Sequence, residues 1–333
     1  MAIESNSDLP AVLNTEEKQV RIAKKLAAEL RGAKAKTGRC PKPQGFFSRT
    51  VIVTLASGEE IVIQFRPEVL DLDCFLTARD ALPDFVPEVG QIADETLSTY
   101  GINVYWMTRI PGQTWFHGVR GKDTQSLITI NKSLGKILGR GWLPNQSTSV
   151  VVDRRLRPHL DFLISSADSR IQPFQAVARE FRAVLEDIKT LPLFVSHFDL
   201  NEMNIMIDDS CEVTGLIDWE MSTPLPFGMG FGRIHTLAGE YFQRKFHMPK
   251  NFEEAERGFW EAAYSSLAKE VRHVVEERWG LVETSVRLGT LLGTFELENG
   301  SLIGVNAVAL EALPKFLTYR IPFTRGSDPP YAK

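Results

Sequence analysis

Residues Ser196–Glu220 read SHFDLNEMNIMIDDSCEVTGLIDWE, a polar cluster followed by two short apolar runs and a closing pair of acids. Ile205–Ile207 and Val213–Ile217 have the composition of strands, and Asp208-Asp209-Ser210 between them forms turns readily. If the strands pair antiparallel, Ile205 comes to lie near Ile217. Asn204, just before the first strand, then meets Asp218, just after the second. A carboxamide oxygen and a carboxylate are hard ligands suited to Mg²⁺, which leaves its other positions to water and phosphate. Asp199 lies upstream, on the loop leading into such a site. There it can orient a substrate hydroxyl or accept its proton during attack on phosphorus. His197 reads as a scaffold that fixes the loop. A lone Asp-x-x-x-x-Asn is no more than the polar rim of a hairpin. His197, Asp199, Asn204 and Asp218 in order, with apolar strands between, point to phosphotransfer.

Working outward, the 333-residue chain is 43% hydrophobic and 24% charged, an ordinary globular profile with room for one large domain or two lobes. Its net charge of −4 lacks the basic excess of a nucleic-acid binder. No apolar run is long enough to span a bilayer, and the N-terminus lacks a secretory pattern. Three cysteines, Cys40, Cys74 and Cys211, suggest neither a disulfide framework nor a zinc site. The expected location is the cytoplasm, with no membrane partner.

Residues 1–13 are polar and patternless and are expected to be mobile. Asn14 or Thr15 caps a helix running to about Leu30. The stretch FFSRTVIVTLASGEEIVIQFRP holds two β-rich runs around a Ser-Gly turn, a helix follows near Val69–Leu82, and NVYWMTRI (Asn103–Ile110) is a further strand. From Pro111 onward, helical spacing dominates at 125–140, 173–190, 252–279, 281–293 and about 305–317. The expected division is a mobile 1–13, a β-rich lobe at 14–110, a mainly helical lobe at 111–325 and a loose tail at 326–333.

HFDLNEMNIMID followed by GLIDWE resembles the catalytic and metal-binding signatures of the aminoglycoside phosphotransferase and choline kinase superfamily, closest to its fungal branch. VIQFRPEVLDLD, FVPEV, VYWMTRIPGQTW and LGRGWL extend the likeness over roughly residues 45–295. The resemblance implies an α+β, bilobal protein-kinase-like fold with a small β-rich N-lobe and a larger, mainly helical C-lobe. It implies ATP bound between the lobes and transfer to a hydroxyl of a small molecule. Asp199 becomes the base or orienter, and Asn204 and Asp218 the Mg²⁺ ligands.

The strand position where kinase-like folds place a phosphate-binding Lys or Arg is held by Gln64. Arg66, two residues on and facing the same side, is the candidate replacement cation. Its acidic partner is open among Glu68, Asp71, Asp73 and Asp80. Ser48 and Arg49 are expected near the phosphates, Met107, Thr108 and Arg109 at the adenine, and Ile217 among the nucleotide contacts. Trp219 and Glu220 are the better candidates for the acceptor mouth, with a packing wedge as the alternative for Trp219. FGMGFG (Phe227–Gly232) reads as a flexible loop. Glu240, Glu253, Glu254, Glu256 and Glu261 could form the acidic pocket that a polycationic aminoglycoside needs. Gln64 also admits a rival, a kinase-like protein that binds a ligand or partner without transfer. A third reading keeps the cleft but redirects the chemistry, for example to nucleotidyl transfer.

Overall fold

β-Branched residues crowd two consecutive stretches of the N-terminal third, and both become strands. The computed structural model describes residues 3–120, 122–220, 222–231, 240–242, 245–248, 251–298 and 300–324. Its first sheet is antiparallel, in the order β1-β2-β3-β5-β4. The strands are β1 (Ala35–Arg39), β2 (Arg49–Leu55), β3 (Glu60–Arg66), β4 (Val89–Ile92) and β5 (Asn103–Thr108). The accompanying helices are α1 (Glu16–Arg31), α2 (Leu72–Ala81) and α3 (Glu95–Thr99). Thr15 caps α1 by accepting the Lys18 amide at 3.3 Å, and Gly32 ends it at φ 61°. Ala23, Leu26 and Ala27 of α1 share one core with Val51, Val53, Ile61, Ile63 and Phe65. Strand periodicity therefore turns Gln64 and Arg66 to the opposite face of the sheet.

Two expectations about this unit need correcting. Residues 3–13 are ordered into the core: Ile3, Leu9 and Leu13 are buried, and Ser5 with Asp8 forms a capping box around a short 3₁₀ turn. Secondly, the division at residue 110 assigns the whole later chain to the helical part. Gly215–Glu220 instead groups with Met1–Pro111. The Leu216 amide donates to the Phe85 carbonyl at 2.8 Å, and a Cβ on Gly215 would sit 2.8 Å from that same oxygen. Only glycine tolerates that approach.

The second unit, Gly112–Thr214 with Met221–Lys333, is mainly helical. It contains α4 (Trp115–Gly118), α5 (Gln125–Leu138), α6 (Thr148–Val151), α7 (Arg157–Ser165), α8 (Gln175–Ala183) and α9 (Leu185–Ile188). α10 (Phe252–Ser265), α11 (Lys269–Glu276), α12 (Trp279–Thr294) and α13 (Ala307–Phe316) follow. Its short strands include β6 (Gln113–Thr114), β7 (Leu193–Phe194), β8 (Ile205–Ile207), the first two residues of β9 (Val213–Leu216), β10 (Leu225–Pro226), β11 (Glu240–Phe242) and β12 (Lys245–His247). α5 lies against α10 with almost no space between backbones. A Cβ on Gly135 would meet the Phe259 carbonyl oxygen at 2.1 Å, and one on Gly139 the Ala263 oxygen at 2.3 Å.

The FGMGFG stretch is packed rather than flexible over its described residues. Phe227, Met229 and Phe231 are buried, and Phe227 and Phe231 stack edge-on with Trp260. Gly232 and His235 lie outside the described residues, as does the tail from 325. Trp260, Phe259 and Trp279 are core residues of this cluster. Two of the elements that have no counterpart in the sequence pattern matter below. A π-helical turn at Val152–Leu156 joins α6 to α7, and a hairpin forms from β13 (Phe295–Glu298) and β14 (Ser301–Val305). Among the described residues no helix is long and apolar enough to cross a membrane.

Candidate active site

Gly112 starts the approach to the loop. Its φ of 92° suits glycine, and a Cβ there would strike the Ile207 carbonyl oxygen at 2.2 Å. This contact lets β6 pair with β8, Gln113 opposite Ile207 and Thr114 opposite Met206. The loop ahead of β8 is thereby held at its far end. At its near end, the Phe198 amide donates to the Ser222 hydroxyl at 3.1 Å, and His197 is buried at 3% exposure.

Between these anchors the loop braces itself. The Asn201 amide donates to the Asp199 carbonyl at 3.0 Å, and the Asn204 amide to the Asn201 carbonyl at 3.0 Å. The Asn204 side-chain nitrogen donates to the Asp199 carbonyl at 2.8 Å and to the Asp199 carboxylate at 3.2 Å. Both partners are acceptors, so the amide orientation follows from the network. Asn204 Oδ1 is thus turned away from Asp199. Burial pushes the neighbouring Glu202 carboxyl above its ordinary range, and the charge of Asp199 adds to the rise.

Asp218 belongs to the first unit, Asn204 to the second. Asp218 has φ 65°, a left-handed backbone that L-residues rarely adopt but that aspartate tolerates best among them. Its neighbour explains how it is held. Trp219 is fully buried, and its indole N–H donates to the Leu216 carbonyl at 2.9 Å. Trp219 is therefore a packing wedge and not an acceptor contact. The exposed Asp218 projects from a turn clamped on one side by that wedge.

Arg66 is 3% exposed and donates to the Glu220 carboxylate, which is 25% exposed. The acid that pairs with the strand cation thus follows Asp218 and does not come from α2 or its approach. Glu220 is committed to this pair, contrary to its assignment to the acceptor mouth. Among the described residues Arg66 Nε is buried without a partner, as is Gln64 Oε1, while Gln64 Nε2 donates to the Thr50 hydroxyl at 3.4 Å.

Other nucleotide candidates are otherwise engaged. The Arg49 guanidinium donates to Asn6 Oδ1 at 2.9 Å and to the carbonyls of Gly45, Ser48 and Ile3 at 2.8, 3.1 and 3.2 Å. It ties the N-terminal segment down, and burial lowers its pKa. Ser48 is buried beside it. Met107 is inside the sheet, opposite Val62 and Val89. The Thr108 amide donates to the Glu88 carbonyl at 2.9 Å, so that N–H is closed to a base. Arg109 lies 3.9 Å from Glu60, and Ile217 is half-buried next to Asp218.

The second unit thus holds a loop in which an Asp carboxylate and an Asn amide are bonded to each other, and the first unit holds a strand cation paired with an acid. The model of the phosphotransferase enzyme family matches residues 41–269, well over half of the chain and inclusive of all these groups. The chain belongs to the phosphotransferase enzyme family. No curated protein matches it. Solved structures similar to it include an ethanolamine kinase of Plasmodium vivax, at 12% identity and TM-score 0.49, covering 85% of this chain and 77% of that one. A macrolide 2'-phosphotransferase of Brachybacterium faecium aligns at 15% identity and TM-score 0.49, covering 90% of this chain and 98% of that one. A third is a thermostable aminoglycoside phosphotransferase in complex with ADP and hygromycin B, at 15% identity and TM-score 0.46, covering 80% and 98%.

Proposed function

We propose that this family member transfers the γ-phosphate of ATP to a hydroxyl of a small molecule. The acceptor oxygen forms a bond to the γ-phosphorus as the bond to the β-phosphate oxygen breaks. ADP leaves with that electron pair, and the acceptor proton passes to the Asp199 carboxylate. The observation that carries this reading is the Asn204 amide, whose nitrogen is spent on Asp199. One side chain thereby steadies the base and keeps its own oxygen for a cation.

The donor chemistry fits Mg²⁺: an amide oxygen from Asn204 and a carboxylate from Asp218 are both hard ligands. When bound, Mg²⁺ offsets phosphate charge. Arg66 fits the phosphates because pairing with Glu220 leaves its Nε without a partner. In kinase-type sites the strand cation is likewise held by a carboxylate. His197 positions the loop, being buried directly before it.

The test is a thermal-shift titration with ATP. Tm rises with ATP and Mg²⁺ together, less with ATP alone, and the metal-dependent part disappears in N204A and in D218A. A Tm that ignores ATP under every condition would instead support a ligand-binding protein without transfer.

A further inference from the structure

The second unit contains a cavity of about 670 Å³ that none of the groups above explains. One wall is Ser196, His197 and Phe198, so the chain leaves the cavity and reaches Asp199 at the next residue. Two elements that the sequence pattern did not anticipate build much of the remainder. The π-helical turn brings Arg154 and Arg155, and the β13–β14 hairpin brings Glu296, Leu297 and Ile303. π-Turns inside helices recur at functional sites because they re-aim side chains without ending the helix.

The lining is mostly apolar. Leu156, Leu225, Met229, Leu292, Val308 and Phe316 all contribute to it. Its formal charge is set by two arginines against the single carboxylate of Glu296. Burial drives the lining residue His159 down to about 4, so at neutral pH it adds no charge. Arg154 has no ion-pair partner among the described residues and is exposed to incoming solute. None of Glu253, Glu254, Glu256 and Glu261 lines the cavity; all four belong to α10, where Glu256 is buried. A polycation therefore finds one acid and two like charges here.

We propose that this cavity is the acceptor site, and that it takes a hydrocarbon-rich hydroxy acid whose single carboxylate is bound by Arg154 and Arg155. The excess of one positive charge matches one carboxylate, and guanidinium groups hold carboxylates through paired hydrogen bonds. The volume is that of an ordinary small-molecule site. Only the word acceptor rests on the phosphotransfer reading; the ligand class rests on the cavity.

The full-length protein, without nucleotide, is titrated by calorimetry with 12-hydroxydodecanoate and with lithocholate. Each is run beside its methyl ester and its amine analogue. At least one acid binds about tenfold more tightly than its ester, the gain expected from one charge-assisted contact, and the amines bind most weakly. In R154Q/R155Q the acid and ester bind equally while ester affinity and Tm are unchanged, since both side chains are exposed. Amines binding as well as acids, a preference untouched by the double variant, or no binding by any member of the set at millimolar concentration would each overturn the assignment. ATP and Mg²⁺ are then added to the bound acid. Phosphate on its hydroxyl supports the acceptor role. Selective binding with no transfer removes that role and leaves the carboxylate site in place.

Discussion

The side-chain bonds of Asn204 to Asp199 close within five residues, whereas Arg66 reaches Glu220 across 154. Both arrangements hold a charged side chain in place, but they are stabilised differently. The loop is a local turn, braced by its own backbone and by the amide side chains of Asn201 and Asn204. The strand-end pair is buried on the arginine side and exists only because Gly215–Glu220 packs on Phe85. Loss of a local brace damages chemistry and leaves the fold. Loss of a long-range brace leaves a buried charge and damages the fold.

The largest effect that can break this contrast is catalytic. With Asp199 as the base of the proposed transfer, D199N keeps the loop's shape and lowers kcat by about 10³-fold, within the range for a general base. Tm and the ATP-dependent Tm rise stay close to those of the wild type. A variant with near-normal kcat would move the base elsewhere. Next comes the long-range pair. E220Q leaves the Arg66 charge uncompensated at 3% exposure, and unfolding in denaturant registers a loss of about 3 kcal/mol. R66M/E220L recovers most of it, because replacing both charges removes the desolvation cost as well. If the single variant is as stable as the double, the pair is not what holds the two segments together.

The same contrast explains what could be read in advance. The strands between Asn204 and Asp218 were legible because two apolar runs around a turn-forming Asp-Asp-Ser are themselves the signal. The β2–β3 runs were legible because alternation has a period of two. Glu220 as the partner of Arg66 was not, since nothing within either segment encodes the other. Arg49 illustrates the same limit: adjacent to a glycine-bearing loop it reads as a phosphate contact, yet its hydrogen bonds go to Ile3 and Asn6. The cavity was hidden for a related reason. Arg154, Arg155 and Glu296 stand in a π-turn and a short hairpin, neither of which has a simple apolar period.

His159 extends the comparison to a second long-range contact: burial lowers its pKa, a hydrogen bond to the Phe295 backbone opposes the fall, and the Arg155 charge adds to it. Its folded pKa of about 4 lies below the ordinary 6.5. Between these values the unfolded chain binds a proton that the folded chain refuses. Stability is therefore unaffected above pH 6.5 and declines as pH falls from there towards 4. Allowing for partial exposure, the decline from this group is about 2 kcal/mol. Denaturant unfolding of wild type and H159F across that range checks it. The difference between the two curves should grow steadily with acidity, and a constant difference would mean that the imidazole titrates normally.

The smallest effect lies at the local extreme. Sequence pattern alone left Asn14 and Thr15 as equal candidates to cap α1. The Thr15 hydroxyl accepts the Lys18 amide at 3.3 Å, while Asn14 Oδ1 accepts only from the Lys18 ammonium at 2.8 Å. The first satisfies a backbone N–H that the helix cannot, and the second is a half-buried side-chain contact that leaves the helix N–H groups unserved. T15A therefore lowers unfolding free energy by about 1 kcal/mol, and N14A by less than about 0.5. T15S retains the cap and the stability. Equal losses in T15A and N14A would show that the helix start is held by its packing on β2 and β3, and local bracing would then matter less in this unit than in the loop at Asp199.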